Sequence, residues 1–402
     1  MTLPLEGYRV CDLGQVWAGP VLGHLFGDMG AEVIRVESRA SSDQMRNIAK
    51  EPSEIRTMLE KNFVFRNRTS CITLNFTKPQ GVELVKEIVK RCDIVFENFS
   101  PRVLAKFGLD YASLRKAKPN IIMCSMSAAG QNGPYRDLLG YGPSINSISG
   151  VDSLVGYPGD DKLMVNVWDA DPTTATAAAF AILTALHHRE ATGEGQYIDL
   201  SFYENLVSLI GEGIMDFTMN GRIAEPQGNR HLAMGPHGIY PCKGNDKWIA
   251  IAVKTQPEWE ALANLMGNPD WTQDERFVDL YGRLTHPGEL DEKMAKWTRG
   301  YGNYELMHML QKAGIAAAVV ATLEDVYLDP HDQYRRQGLR IETQGLDRTE
   351  VIHGIPWHLS DTPGSVRRLA AAMGEDNEKV FSKMLGLSKK RIEQLVKAQV
   401  IY

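Results

Sequence analysis

Tyr8-Arg-Val-Cys-Asp-Leu13, then Gly14-Gln-Val-Trp-Ala-Gly-Pro20, then Val21 to Met29, and finally Gly30 followed by Ala31-Glu-Val-Ile-Arg-Val-Glu37 form the stretch that decides the fold. The first segment is short and rich in strand formers. The second is a loop of turn residues. The third has helical spacing, with Leu22, Leu25 and Phe26 on one face, and Gly30 is placed to end it as a C-cap. The fourth is again strand-like. Strand, helix and strand within thirty-odd residues make a βαβ unit, which implies parallel pairing and a right-handed crossover.

The same grammar runs on. Ser70–Leu74, Ile94–Phe96 and Ile121–Ser125 read as strands, and Lys78–Lys90 and Leu104–Lys118 as helices. The first ~130 residues therefore predict an open α/β sheet. Gly130 to Asp161 is rich in Gly, Ser, Asn and Pro and reads as a long irregular region. A strong helix follows over Pro172–Arg189, then a turn at Thr192–Gly195 and a strand over Gln196–Leu200. Gly228–His231 and Met234–Gly238 read as a loop before a strand at Trp248–Val253. Residues 257–325 carry mainly helical patterns, and short strands return after Pro330. The expected organisation is a large domain over 1–210, a linker and smaller domain over 211–330, and a C-terminal return over 331–402.

Composition narrows the function. The chain has 402 residues, 43% hydrophobic and 23% charged, with net charge −6. A mildly acidic surface argues against a broad nucleic-acid or membrane footprint. The longest apolar stretch, Thr173–Leu186, falls short of the ~20 apolar residues of a membrane span. Five cysteines at long spacings, with no C-x-x-C, fit free thiols in a reducing compartment, and a cytoplasmic location is expected. Histidine spacing offers no metal site. The first βα turn lacks G-x-G-x-x-G, and neither a phosphate loop nor a G-x-S-x-G elbow is present.

The most informative carboxylate is Asp171, in Trp168-Asp-Ala-Asp-Pro-Thr-Thr-Ala175. Pro172 suits a first helical position, which places Asp171 at the N-cap. Such a residue can merely cap. It can also serve as a nucleophile toward an activated acyl group, because the helix dipole keeps it ionised. Asp169 is a neighbouring candidate. Trp17, Ala18, Arg39, Asn98, Phe99 and Lys106 lie on one sheet edge or on the helix that follows it, where open α/β sheets take ligands.

The chain resembles the class III CoA-transferases, the formyl-CoA and carnitine CoA-transferase type. The resemblance rests on Ala18-Gly-Pro20, Gly30–Glu37, Glu97-Asn-Phe99, Phe107-Gly-Leu109, Gly130-Gln-Asn-Gly-Pro-Tyr135, Thr192-Gly-Glu-Gly-Gln196, Gly354-Ile-Pro356 and Thr362-Pro-Gly-Ser-Val-Arg367, in order over nearly the whole chain. It implies a Rossmann-like open parallel sheet domain, a smaller α+β domain and an interlocked ring dimer. Counting back from Ala185-Leu186 and Arg189, it puts the nucleophile on Asp171. The implied chemistry passes through anhydrides and an aspartyl-CoA thioester, with the coenzyme A thioester as substrate and neither metal nor redox cofactor. The matched CoA-contacting positions are Trp17, Ala18, Arg39, Leu74, Asn75, Asn98, Phe99 and Lys106. Tyr141, Gly235 and Gly238 match substrate-side positions, the last two in a loop that covers the site in the family. Gly142 stands where many members carry an acidic residue. Partners implied are an acyl-CoA, a carboxylic acid and a second copy or a similar chain. The rivals are a subunit needing such a partner, a CoA-binding protein without turnover, and a racemase of the same superfamily; the racemase histidine is replaced here by Tyr141, a poor base near neutral pH.

Overall fold

The computed structural model describes residues 2–40, 43–47, 63–159, 169–335, 338–342 and 349–402. Trp168 and the Asp160–Asp161 end of the Gly-rich region lie outside them. Six strands, β1 (Arg9–Asp12), β2 (Glu32–Glu37), β3 (Ser70–Thr73), β4 (Ile94–Glu97), β5 (Ile122–Ser127) and β6 (Tyr197–Ser201), build one parallel sheet in the order β3-β2-β1-β4-β5-β6. All six carboxyl ends lie on one edge. The order reverses between β1 and β4, which opens a crevice at that edge.

Successive residues on these strands serve opposite faces. Val10, Val33, Ile94, Phe96 and Ile122 pack under α1 (Ala18–Asp28) and a long helix over Ala170–Thr192. Cys11, Ile34, Val95 and Met123 pack on the other face with α2 (Pro79–Val89) and α3 (Tyr111–Ala117). Both faces are covered, so the strands read as near-continuous apolar runs. Burying one such Val or Ile contributes roughly 1.5–3 kcal/mol.

Three local expectations need correction. Leu104–Lys118 is two helices, Val103–Lys106 and α3, because Gly108 turns left-handed (φ 63°) and Asp110 caps α3 by accepting from the Ser113 N–H at 3.0 Å. The Gly-rich stretch after 130 contains α4 (Gly142–Ser149), with Pro143 in its first turn and Ile145, Asn146 and Ser149 buried. The long helix, α5, begins at Ala170 rather than at Pro172.

Two compact units emerge. One holds residues up to Asp152, Asp169 to Arg222 and Gly338 to Tyr402; the other holds Ser153–Gly159 and Ile223–Arg335. The expected boundary at 210 thus moves: residues 211–222 belong with the sheet, and Ser153–Gly159 join the smaller unit. That unit has an antiparallel sheet of β7 (His237–Pro241), β8 (Trp248–Ala252) and β9 (Ala316–Val319). Helices Gln256–Leu265, Pro287–Thr298 and Asn303–Lys312 close its core around Trp259, Phe277, Met294 and Leu306. In the first unit, β10 (Gly338–Glu342) pairs antiparallel with β11 (Thr349–His353).

Candidate active site

The turn that joins β1 to α1 approaches itself closely. A Cβ built on Gly14 would lie 2.5 Å from the Cα of Gly19, and the reverse distance is the same, so only glycine fits at either place. Side chains from β1 itself and from two other strands, β2 and β4, or the loops that follow them, then hold the turn. Asn98, after β4, accepts from the Gln15 N–H (2.6 Å) and donates to the Gln15 carbonyl (2.9 Å). Arg35, on β2, donates to the Gly14 carbonyl at 2.8 Å, and Asp12 accepts from the Gly14 N–H at 2.9 Å. Asp43 accepts from the Val16 N–H at 3.0 Å.

Beneath the turn lies a buried ionic cluster of three carboxylates and three guanidinium groups: Asp12, Glu37 and Asp43 with Arg35, Arg46 and Arg68. Arg35 reaches Asp43 at 2.7 Å, Glu37 at 3.2 Å and Asp12 at 3.4 Å. Arg46 grips Glu37 at 2.8 Å, and Arg68 grips Asp12 at 3.2 Å. The Phe65 ring sits 4.6 Å from the Arg35 guanidinium and 4.7 Å from that of Arg46. Burial alone would raise the Glu37 carboxyl, but the Arg35 and Arg46 charges outweigh it and bring it down to about 2.

Ala18, the first residue of α1, donates its N–H to Asp171 Oδ1 at 3.2 Å. Asp171 is not the N-cap. Asp169 holds that position without a side-chain cap bond, and Asp171 is the second residue of α5. The carboxylate therefore lies against two helix N-termini, its own and that of α1, both of which favour negative charge. Burial raises its pKa, and the Ala18 N–H pulls it back. Close packing of α1 on α5 brings these ends together, through Ala18, Leu22, Ala175 and Ala178 in one apolar cluster. On the other side stands Gly142, where a Cβ would fall 2.7 Å from Asp171 Oδ2. The absent side chain is what leaves room for the carboxylate.

The remaining sequence candidates divide into two groups. Trp17 is half-buried beside the site and meets Phe63 edge-on at 6.5 Å. It lines an apolar cavity of about 200 Å³ with Met45, Phe63, Val64, Ile352 and His353. Tyr141, directly before Gly142, is exposed, and its hydroxyl accepts from Gln44 at 2.6 Å. Arg39 and Lys106 are exposed after β2 and β4, and Phe99 is half-buried. Just before it, burial lifts the Glu97 carboxyl to about 7 against hydrogen bonds from Ser125 and the Phe99 N–H. Other side chains are already committed. Leu74 is fully buried, Asn75 donates to the Gln399 carbonyl and accepts from Thr77, and Asn98 is spent on Gln15. Gly235 and Gly238 do not form a free loop. Gly238 lies in β7 opposite Ile251, while Gly235 is buried, bonded through its N–H to Val253 and through its carbonyl to Arg283. They belong to the smaller unit, and Asp171 to the first.

Among the described residues, no cluster of three His, Cys, Asp or Glu side chains is placed to hold a metal ion, and no helix is long and apolar enough to cross a membrane.

The sequence pattern of CoA-transferase family III matches residues 5–377. The chain belongs to this family. It is 34% identical over 398 residues to the succinyl-CoA–D-citramalate CoA-transferase of Chloroflexus aurantiacus, covering 99% of this chain and 98% of that one. It is 32% identical to the beta subunit of the succinyl-CoA–L-malate CoA-transferase of the same organism, covering 100% and 98%. Its fold is similar to that of a CAIB/BAIF family protein from Brucella suis, at TM-score 0.84 and 28% identity over 96% of this chain and 100% of the other. Membership makes this family III protein an enzyme, a CoA-transferase acting on CoA thioesters.

Sequence reading missed two features of its site. Gly142 was visible only as an odd residue beside Tyr141. Asp43 carried no motif at all, and Arg35 stood inside Gly30–Glu37 with nothing to mark it as a support of the turn; Asp43 meets a backbone N–H 27 residues earlier in the chain, which no local pattern announces.

Proposed function

We propose that this enzyme moves CoA from an acyl-CoA to a carboxylic acid through covalent attachment to Asp171. The observation that carries the reading is the 3.2 Å bond from the Ala18 N–H to Asp171 Oδ1 at the meeting of two helix N-termini. In the first step the carboxylate attacks the thioester carbonyl and expels CoA thiolate, leaving a mixed anhydride. The thiolate attacks the aspartyl carbonyl of that anhydride, which gives an aspartyl-CoA thioester and frees the donor acid. The acceptor carboxylate attacks this thioester and expels the thiolate again. The thiolate then attacks the acceptor's acyl carbon, releasing the new acyl-CoA and restoring Asp171. Each addition to the aspartyl carbonyl puts negative charge on an oxygen of Asp171. The Ala18 N–H, already aimed at Oδ1, is placed to stabilise it without rearrangement.

Arg39 and Lys106 are the proposed contacts for CoA phosphates, with Phe99 and Trp17 flanking the thioester arm. The names of the relatives put succinyl-CoA first among donors to try. The apolar cavity beside Trp17 puts acids with an apolar body among the acceptors. Purified enzyme incubated with succinyl-CoA and a panel of mono- and dicarboxylic acids is expected to yield a new acyl-CoA, read by mass spectrometry. Hydrolysis alone with every donor and acid would contradict the reading.

The assembly belongs to the same proposal. Helix α6 (Gly211–Asn220) buries none of its residues, although Met215, Phe217 and Met219 are each more than half exposed. Met215 and Met219 share one side of the helix and Phe217 stands on the other, so apolar groups are left on two sides; exposure of this kind needs a partner, and a second chain of this family, in an interlocked ring, is the proposed one. Relatives named as alpha and beta subunits keep a heteromer as the second reading. Activity of the purified chain alone separates the two. A cytoplasmic setting is proposed with it, since all five cysteines are free and buried.

A further inference from the structure

We infer that Asp43 is a positioning residue for the transfer reaction: it fixes the backbone at Val16 and thereby aims the Ala18 N–H at Asp171. The inference rests on the reading of Asp171 as the nucleophile.

Val16 has φ 61°. Left-handed backbone is unfavourable for any residue with a Cβ and worst for a β-branched one. A valine stays there only when its surroundings over-determine it, and such strain concentrates at functional sites. The surroundings here are explicit. On the near side, Gly14 and Gln15 are clamped through Asp12, Arg35 and Asn98. At Val16 itself the holding group is Asp43, whose Oδ2 accepts the Val16 N–H. Asp43 is 3% exposed, and its own orientation is fixed twice. Arg35 donates to the same Oδ2 at 2.7 Å, and the Met45 N–H donates to Oδ1 at 2.9 Å. Two residues beyond Val16 comes Ala18, whose N–H meets Asp171. A relaxed φ at Val16 would swing that N–H away from the carboxylate. Asp43 touches no reacting atom in this arrangement; it acts through the turn.

A purely structural Asp43 would neutralise Arg35 and start the short helix Gln44–Asn47, with no consequence for chemistry once the protein is folded. Asp43→Asn separates the two roles. The expected result is a fall in kcat of about tenfold to a hundredfold, with KM for acyl-CoA and the affinity for free CoA within about twofold. Introducing Val16→Gly into Asp43→Asn is expected to recover most of that kcat, because glycine accepts φ 61° without a clamp. Should Asp43→Asn fail to fold, Asp43→Glu keeps the charge opposite Arg35, displaces the carboxylate by one methylene and carries the same test. A folded variant with unchanged kcat, or a loss that Val16→Gly does not repair, overturns the inference. Trapping Asp171 adducts in the same preparations distinguishes the failures. An adduct in the wild type that forms equally fast in the Asp43 variant overturns the role of Asp43 alone. No adduct in an active wild type overturns the nucleophile reading, and this inference with it.

Discussion

The two units of this CoA-transferase solve the problem of a core differently. Under the β1–α1 turn the first unit buries Asp12, Arg35, Glu37, Asp43, Arg46 and Arg68. The smaller unit closes on Trp259, Leu262, Phe277, Met294, Leu306 and Leu310, with Arg283 as its one fully buried charge among the described residues. Buried ion pairs seldom add stability over apolar packing. A cluster of six charged groups at the crevice therefore speaks for geometry: each group bonds a neighbour or a backbone atom of the turn, and the turn delivers one N–H to one carboxylate. In the smaller unit side chains pack to hold the fold, and capping boxes at Thr255 and Thr322 fasten helix ends. Substitutions should accordingly hit chemistry in one region and stability in the other.

The largest effect is expected at Asp171. Asp171→Asn keeps the shape and the acceptor for the Ala18 N–H but removes the nucleophile, so steady-state transfer should fall about 10⁴-fold or more with free CoA still bound, as read by calorimetry. A variant retaining a tenth of the activity would erase the distinction between the regions. Next comes the opposite pole. Leu306 is fully buried in the smaller unit, and Leu306→Ala should cost about 2–5 kcal/mol in denaturant unfolding while the folded fraction keeps its kcat. Gly142→Ala probes the site sterically. Its Cβ would lie 2.7 Å from Asp171 Oδ2, so the carboxylate must shift, and a loss in kcat of about 10²-fold is expected with little change in melting temperature. The smallest effect is on pH dependence. Burial raises the Asp171 pKa above its ordinary 3.8, and only the ionised form attacks. The acid limb of kcat/KM should therefore fall away with decreasing pH at a higher pH than an ordinary aspartate gives. An acid limb at or below the ordinary range would mean that the site is more polar than its packing shows.

Much of this was legible in the sequence because it is local. Alternating strand and helix patterns dictate a parallel sheet, and the sheet dictates the edge where Trp17, Ala18, Arg39 and Asn98 gather. The Ala-rich run after Asp171 announced a helix. What escaped depends on contacts between distant segments. Pro172 pointed to Asp171 as the cap, yet tertiary packing against α1 lets the helix start two residues sooner. Helix α4 hid among Gly, Ser and Asn because Ile145 and its neighbours are stabilised by burial rather than by propensity. Gly235 and Gly238 looked like a flexible loop, but strand pairing with β8 and a bond from Arg283 fix them. Asn98, a matched CoA contact, also holds the turn, a role no local pattern showed.

The most direct test of the account is to trap the covalent enzyme. Wild-type protein mixed with succinyl-CoA, or with whichever thioester the activity panel selects, is quenched with hydroxylamine in one sample and borohydride in another, and peptides are sequenced by mass spectrometry. Covalent transfer through Asp171 gives a hydroxamate in the first sample and a reduced side chain in the second, each confined to Asp171 and each absent from Asp171→Asn. CoA transfer that proceeds at full rate with Asp171 unmodified in both samples would contradict it.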